Sequence, residues 1–476
     1  MTSTFYKKLF FLLFVILATP LSYSASKTFF RPRQVSLDST FQLALTNYDI
    51  YHHNNDCEDS WVNFYAKPFY QRSHDSCDLA RYFLPNNNRC IEVRENGTGD
   101  VNSLFFNLIS PIGTSFDSTV CLRPRRTTFG AVFTFYRELD CLCDNLWIDM
   151  NFAAMQAQHE LRVGVTNNDG AGTLTGFATI CDGFNNPAFT AGRLSCCKLK
   201  RSGVDDIQFR IGYNWLECEN YHVSPYLVVV APTGKRPCSK YLFEPLVGSK
   251  HAALGFGINA DYGVYECEDH TLTLMGDFKY LYAFKARERR SFDLSANGDW
   301  SRYLLVAPTT TPVATIPGIN LFTVGAQVTP RSMVDLWTGL HYEWCNWNFE
   351  IGYNFWWRQA EKVCIKCPLA SDFGILDLAG ICSGTALSAS TATISQSIAN
   401  SAASNTTFTT LSTSLLNQNS AAHPRSLTNK IYASAGYNAD VWCYPVLLGL
   451  NGSYEFSHNR NALEQWAVWG TLGINF

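Results

Sequence analysis

The sequence predicts an all-β fold: a transmembrane antiparallel β-barrel of about 14 strands, within a range of roughly 12 to 16, with long loops at one end and short turns at the other. Three observations point there. The last stretch alternates with period two, placing Trp466, Val468, Leu472, Ile474 and Phe476 on one face and Gln465, Trp469, Thr471, Gly473 and Asn475 on the other. Charged residues make up 16% and aromatics 14%, a ratio suited to a surface that faces lipid and is belted by Tyr and Trp. After the first twenty residues no uncharged apolar run approaches the roughly 18 to 20 residues of a spanning helix. The apolar residues are therefore dispersed by alternation, as barrel strands require.

Lys7 and Lys8 precede an apolar core from Leu9 to Ala18, followed by Pro20 and small residues at Ser22, Ser24 and Ala25. This reads as a secretory signal peptide over residues 1–24, leaving 25–476 as one barrel domain, since ten apolar residues are too few to span a bilayer. Export places the seventeen cysteines where disulfides form, and the odd count leaves at least one unpaired within the chain.

Phe41 to Tyr51, Trp61 to Tyr70 and Val101 to Ile109 read as the first strands, aromatic-rich but poorly alternating. From Thr128 the pattern sharpens. Phe129, Ala131, Phe133 and Phe135 share a face, and Leu146, Ile148, Met150 and Phe152 return opposite Asp149 and Asn151. A long connection near 158–203 holds the pair Cys196 and Cys197, expected to form disulfides with other loop cysteines.

Strands then follow from Ile207, His222, Ala253 and Thr271, with Arg210, Asp261, Asp277 and Lys279 on their polar faces. A loop near 286–330 contains Arg287, Arg289 and Arg290, candidates for a constriction. The hairpin from Met333 to Arg358 places Asp335, His341, Glu343, Glu350 and Arg358 on its polar face. A Ser/Thr/Ala/Asn-rich loop near 362–428 holds Cys364, Cys367 and Cys382, read as a loop disulfide because no His or fourth Cys completes a zinc site. Strands from Ile431 and Leu447 carry Asp440 and Glu455 inward, and the strand from Gln465 closes the barrel.

The inward set is Asp149, Arg210, Asp261, Asp277, Lys279, Asp335, Glu343, Glu350, Arg358, Asp440 and Glu455. Charges on an inward face need water or partners, so these residues are expected to line a water-filled passage with a mild preference for cations. Cys143, Cys218, Cys267, Cys345 and Cys443 recur in the short turns. Neighbouring turns stand about 10 Å apart, too far for direct disulfides, so these thiols are expected either to bond other chains or merely to serve as small turn residues.

A terminal Phe476, an even set of amphipathic strands, a signal peptide and many cysteines resemble the cysteine-rich major outer-membrane porins of intracellular bacteria. The resemblance implies a bacterial outer-membrane location and passive diffusion of small hydrophilic solutes and ions. It also implies a disulfide-crosslinked role in the cell envelope, insertion by the barrel-assembly machinery through the C-terminal strand, and a homotrimer. Two alternatives stand beside it. One is a surface adhesin or structural barrel with a closed lumen; the other is a transporter for hydrophobic molecules, whose plug would come from Cys77 to Cys121. No Gly-x-Ser-x-Gly, His-Glu-x-x-His, Walker or EF-hand pattern occurs. The expectation is no enzyme, no cofactor, no metal and no nucleic-acid partner, with outer-membrane lipid as the surrounding medium.

Overall fold

The computed structural model describes residues 26–47, 62–74, 77–95, 99–108, 115–139, 141–166, 176–177, 179–218, 220–308, 315–376, 393–395, 408–441, 444–457 and 460–475. The expected signal peptide, Phe476, Cys57, Cys382 and Cys443 lie outside them. The described chain forms a closed antiparallel barrel of 12 strands with 2 further strands outside the ring. The barrel strands are β1 (Val62–Ser73), β2 (Arg125–Glu138), β3 (Leu146–Glu160), β4 (Ile207–Tyr213), β5 (Tyr221–Ala231) and β6 (Ala253–Cys267). They continue as β7 (His270–Ala283), β8 (Arg331–Trp344), β9 (Trp347–Arg358), β10 (Ser426–Val441), β11 (Tyr444–Ser457) and β12 (Gln465–Asn475).

Closure is made by β12, which pairs with β11 on one side and β1 on the other, so that Ile474 lies beside both Val446 and Phe64. A closed ring has no edge, so each strand finds partners on both sides even in hydrocarbon. The two outside strands extend β4 in both directions. Leu199–Val204 pairs with the far half of β3, Leu216–Cys218 pairs with the start of β5, and Asp205 and Asp206 interrupt the run between Leu199–Val204 and β4.

Two expected strands are absent from the wall. Ser39–Leu43 is a short helix, α1, rather than part of a strand from Phe41, and it lies inside the barrel. Asp38 caps α1, its side chain accepting from Thr40 N, and a capped turn satisfies backbone donors locally without a neighbouring strand. Val101 and Asn102 form a two-residue strand that runs into a 3-10 turn over Ser103–Phe106, away from the barrel. Fourteen expected strands thus become twelve.

Side chains obey the period of two. Leu227, Phe256, Ile351 and Leu450 point outward at 59%, 54%, 63% and 69% exposure, an apolar belt that only another apolar medium would cover. Trp215, Trp344, Trp347 and Tyr444 sit exposed near its short-turn edge, Tyr282 and Phe284 near the other.

The long connections do not spread as separate surface loops. They fold together into a cap with its own apolar core, in which Phe106, Phe184, Trp300 and Tyr303 pack ring against ring. Disulfides Cys90–Cys121 and Cys181–Cys196 lie in this region. The second accounts for Cys196, while Cys197 is an exposed thiol. Cys364 and Cys367 are also free thiols, so the loop disulfide expected among Cys364, Cys367 and Cys382 does not form between described residues; Cys382 is not described. Cys77–Phe83 is a helix against the cap core, and Cys90–Arg94 and Asp117–Cys121 pair within the cap, so the described residues between Cys77 and Cys121 supply no plug.

Candidate functional site

The lumen is occupied by the chain's own N-terminal segment. Residues 26–47 are buried throughout, apart from a half-buried Gln34, although they contribute no strand to the wall. The segment begins in the cap, where the Phe30 ring packs against Tyr82, Phe83 and Phe243. It descends past Arg31 and Arg33, reaches Glu350 three residues from the short-turn end of β9 through Leu45 N, and sets Asn47 against Asn259.

Five charged clamps hold it. Arg31 bridges Glu288 (2.7 Å) and Glu361 (2.5 Å) at the junction of cap and barrel. Below, Arg33 contacts Asp335 (2.9 Å), Glu455 (3.3 Å), Asn354 (2.9 Å) and its own segment's Asp38 (3.0 Å). Asp38 in turn pairs with Lys430 of β10. Lys67 of β1 donates to Gln42 O, Ala44 O and Thr46 Oγ1 at 2.9, 3.2 and 3.1 Å, placing its ammonium at the end of α1, where Gln42 O also accepts from Thr46 Oγ1. Lys279 donates to Leu37 O (3.0 Å) and Gln42 Oε1 (3.1 Å).

The break in the wall after Leu199–Val204 also serves the segment. Asp205 accepts from Ser36 N (3.1 Å), and Asp206 accepts from Gln34 Nε2 (3.1 Å) while fixing Ser249 N (2.7 Å) and Gly234 N (2.8 Å). Apolar packing completes the fit. Phe41 lies 5.4 Å from Phe69 and 4.8 Å from Trp469 between ring centroids, and Leu37 and Leu45 join a cluster with Tyr65, Trp147 and Tyr226. The two cavities flanking Arg31–Gln34 are about 10 Å³ each, room for one water at most.

Among the described residues the lumen is thus filled by protein, where a water-filled passage was expected. Of the inward set, Asp149, Arg210, Asp261, Asp277, Lys279, Asp335, Glu350, Arg358 and Glu455 all face the interior and are buried. Arg210 pairs with Asp149, Tyr226 OH donates to Asp277, and Asp261 meets His222 at 3.1 Å. His341, expected in solvent, is 1% exposed and 3.6 Å from Glu350. Glu343 is half-buried near the rim, and Asp440 is exposed at the end of β10 rather than inside. Arg287, Arg289 and Arg290 form no constriction loop. They lie on a strand, Ala286–Ser291, where Arg290 is buried against Glu288 and Glu361 while Arg287 and Arg289 face outward.

Sequence reasoning missed Arg31, Arg33, Asp38, Lys67, Lys430, Asp205 and Asp206. One legible signal was Asp38-Ser39-Thr40, a helix start. Another was parity: Lys430 shares the face of Tyr432 and Ser434, but a strand begun at Ile431 leaves it out. Lys67 was obscured because its inward neighbours, Tyr65 and Phe69, are aromatic and blur the alternation of β1.

The turn thiols Cys143, Cys218, Cys267 and Cys345 are all exposed at the short-turn rim, as is Cys141. Cys345 holds a positive φ of 50°, a conformation that favours Gly or Asn.

No protein-family model and no curated protein matches the sequence. Among solved structures, it is similar to an outer membrane channel from Pseudomonas putida F1 (11% identity, TM-score 0.36, 89% of this chain and 99% of that one). It is also similar to the transport unit of the autotransporter AIDA-I from Escherichia coli (8%, 0.29, 94% and 99%) and to a Pseudomonas aeruginosa FadL homologue (6%, 0.28, 88% and 89%). Likenesses this remote carry no functional argument.

Proposed function

We propose that this protein is a channel of the porin type in a bacterial outer membrane, closed at rest by residues 26–47 and admitting small hydrophilic solutes when that segment moves. The observation that carries the reading is charge complementarity. Wall carboxylates Asp335, Glu350 and Glu455 are satisfied from the segment, chiefly by Arg33 and by Leu45 N, rather than by the wall alone. The clamps and packing described between segment and wall are noncovalent, and the segment supplies no strand, so its departure leaves the ring closed. The vacated passage would be lined with acidic groups and would favour cations.

Planar-bilayer recording tests this. Full-length protein is expected to open rarely, Arg33→Ala to open often, and a chain lacking residues 26–47 to conduct steadily with cation preference. Silence from all three, with the barrel folded, would reject the channel. A second reading, a structural or adhesive barrel with a permanently closed lumen, is favoured by the packing of Phe41 on Phe69 and Trp469 and predicts that silence. A carrier of hydrophobic molecules fits less well with a lumen so rich in buried charge.

The rim thiols support a second role, crosslinking to neighbouring envelope proteins. A cysteine kept at the strained Cys345 position, where Gly is cheaper, argues that its sulfur is used. Non-reducing electrophoresis of thiol-blocked cells should show oligomers that Cys345→Gly diminishes. Trimer formation and insertion through β12 remain expectations of the resemblance.

A further inference from the structure

Where the wall leaves its apolar belt at the cap end, three strands pass a kink and continue as a small sheet. Ala286–Ser291 extends β7, Thr323–Thr329 leads into β8, and Lys362–Ile365 follows β9. One face of this sheet is buried and holds Glu288, Arg290, Val328 and Val363. The other is exposed and carries cations along both outer strands: Lys285, Arg287 and Arg289 on one side, Lys362 and Lys366 on the other.

The register separates the two rows. Arg287 lies beside Gln327, which lies beside Cys364; Arg289 lies beside Gly325, and Thr329 beside Lys362. The middle strand thus gives an uncharged floor of Gly325, Gln327 and Thr329 between cationic rows about 10 Å apart, two strand spacings. None of the five cations makes a side-chain hydrogen bond or ion pair with a described residue. Ser239 Oγ donates to Arg289 O, which brings its exposed neighbour Lys240 alongside.

The opposite rim has the reverse sign. Glu217, Glu266, Glu268 and Asp269 are exposed in or beside its turns, and among the described residues Arg137 is the only lysine or arginine there. Unpaired like charges crowded on one face repel each other, and here they adjoin the exposed Tyr282 and Phe284 at the edge of the belt. Counter-charge must come from the height in the membrane where lipid headgroups lie.

We propose that this face binds the phosphate groups of an anionic lipid in the leaflet around the capped end, seating a headgroup between the two cationic rows. The proposal rests on the outer-membrane reading above and adds which leaflet chemistry the capped end recognises.

Full-length protein in phosphatidylcholine nanodiscs doped with bis-phosphorylated lipid A tests it, with the same glycolipid stripped of phosphate as control. Wild-type protein should retain the phosphorylated form selectively. The variant Arg287→Glu/Arg289→Glu/Lys362→Glu should bind it roughly a hundredfold more weakly, at about fivefold per cation. The neutral variant Arg287→Gln/Arg289→Gln should lose less, and Arg137→Glu nothing. Equal retention by wild type and the triple variant, or no preference for phosphate, overturns the proposal while leaving the barrel standing. Displacement by inorganic phosphate as effective as by lipid A overturns the lipid source. Failure to insert into any nanodisc overturns the outer-membrane reading itself.

Discussion

The cap and the lumen are both filled by the chain itself, and they are filled in opposite ways. The cap excludes water as a soluble domain does, by burying Phe106, Phe184, Trp300 and Tyr303 behind a polar surface. The barrel faces outward with Leu, Ile and Phe, so its polar residues turn in, where they meet one another, as Arg210 meets Asp149, or residues 26–47, as Asp335 meets Arg33. The medium outside an element decides what its inside can hold. An inward charge in a barrel therefore marks a need for partners, and here many partners are protein rather than water.

The largest effect should come from the cap core. Trp300 is fully buried and its Nε1 donates to Phe83 O at 2.7 Å. Trp300→Ala should cost about 3 to 5 kcal/mol, opening the cap to proteases while the barrel strands keep their protection from hydrogen exchange. Loss of both together would show that the two interiors are one cooperative unit.

In the lumen, Arg33→Ala removes the guanidinium beside buried Asp335 and leaves Glu455 only Lys430, at 3.9 Å. It should destabilise the segment by about 3 kcal/mol, read as faster hydrogen exchange across residues 33–47 with the wall strands unchanged. Cys90→Ser, which opens a link spanning 31 residues, should cost about 2 kcal/mol and act on the cap alone.

Acid should separate the two regions at their junction. Burial alone would raise the Glu361 carboxyl, but the Arg290 and Arg31 guanidiniums outweigh it and hold it at about 2, below its ordinary 4.5. A depressed carboxyl contributes stability that is fully present above pH 4.5 and lost as pH falls through about 2. The Arg31 clamp should therefore survive mild acid, with exchange protection near Arg31 lost only close to pH 2. The smallest effect belongs to the rim: Cys345→Gly should stabilise by about 0.5 kcal/mol, because glycine accepts the positive φ.

Much of the wall was legible. The alternation of β7, β8, β9 and β12 announced itself because one face meets lipid along its length and must be apolar at every second residue. Strands whose inward face touches the segment were harder: Tyr65 and Phe69 in β1 look inward to Leu45 and Phe41, so both faces read as apolar. The cap was illegible as a unit, since its core draws Phe30, Val101, Phe184, Trp300 and Ile375 from connections far apart in sequence.

Sequence alone determined which faces are oily, which are polar and where the turns fall, because a period of two is local and each strand obeys it independently. Tertiary structure decided what fills the interior. Whether Asp335 meets water or Arg33 depends on where a segment some 300 residues away is carried, and no local pattern records that path. It also decided that the long connections share one core, because an apolar cluster is a property of residues brought together rather than of any stretch that contributes to it.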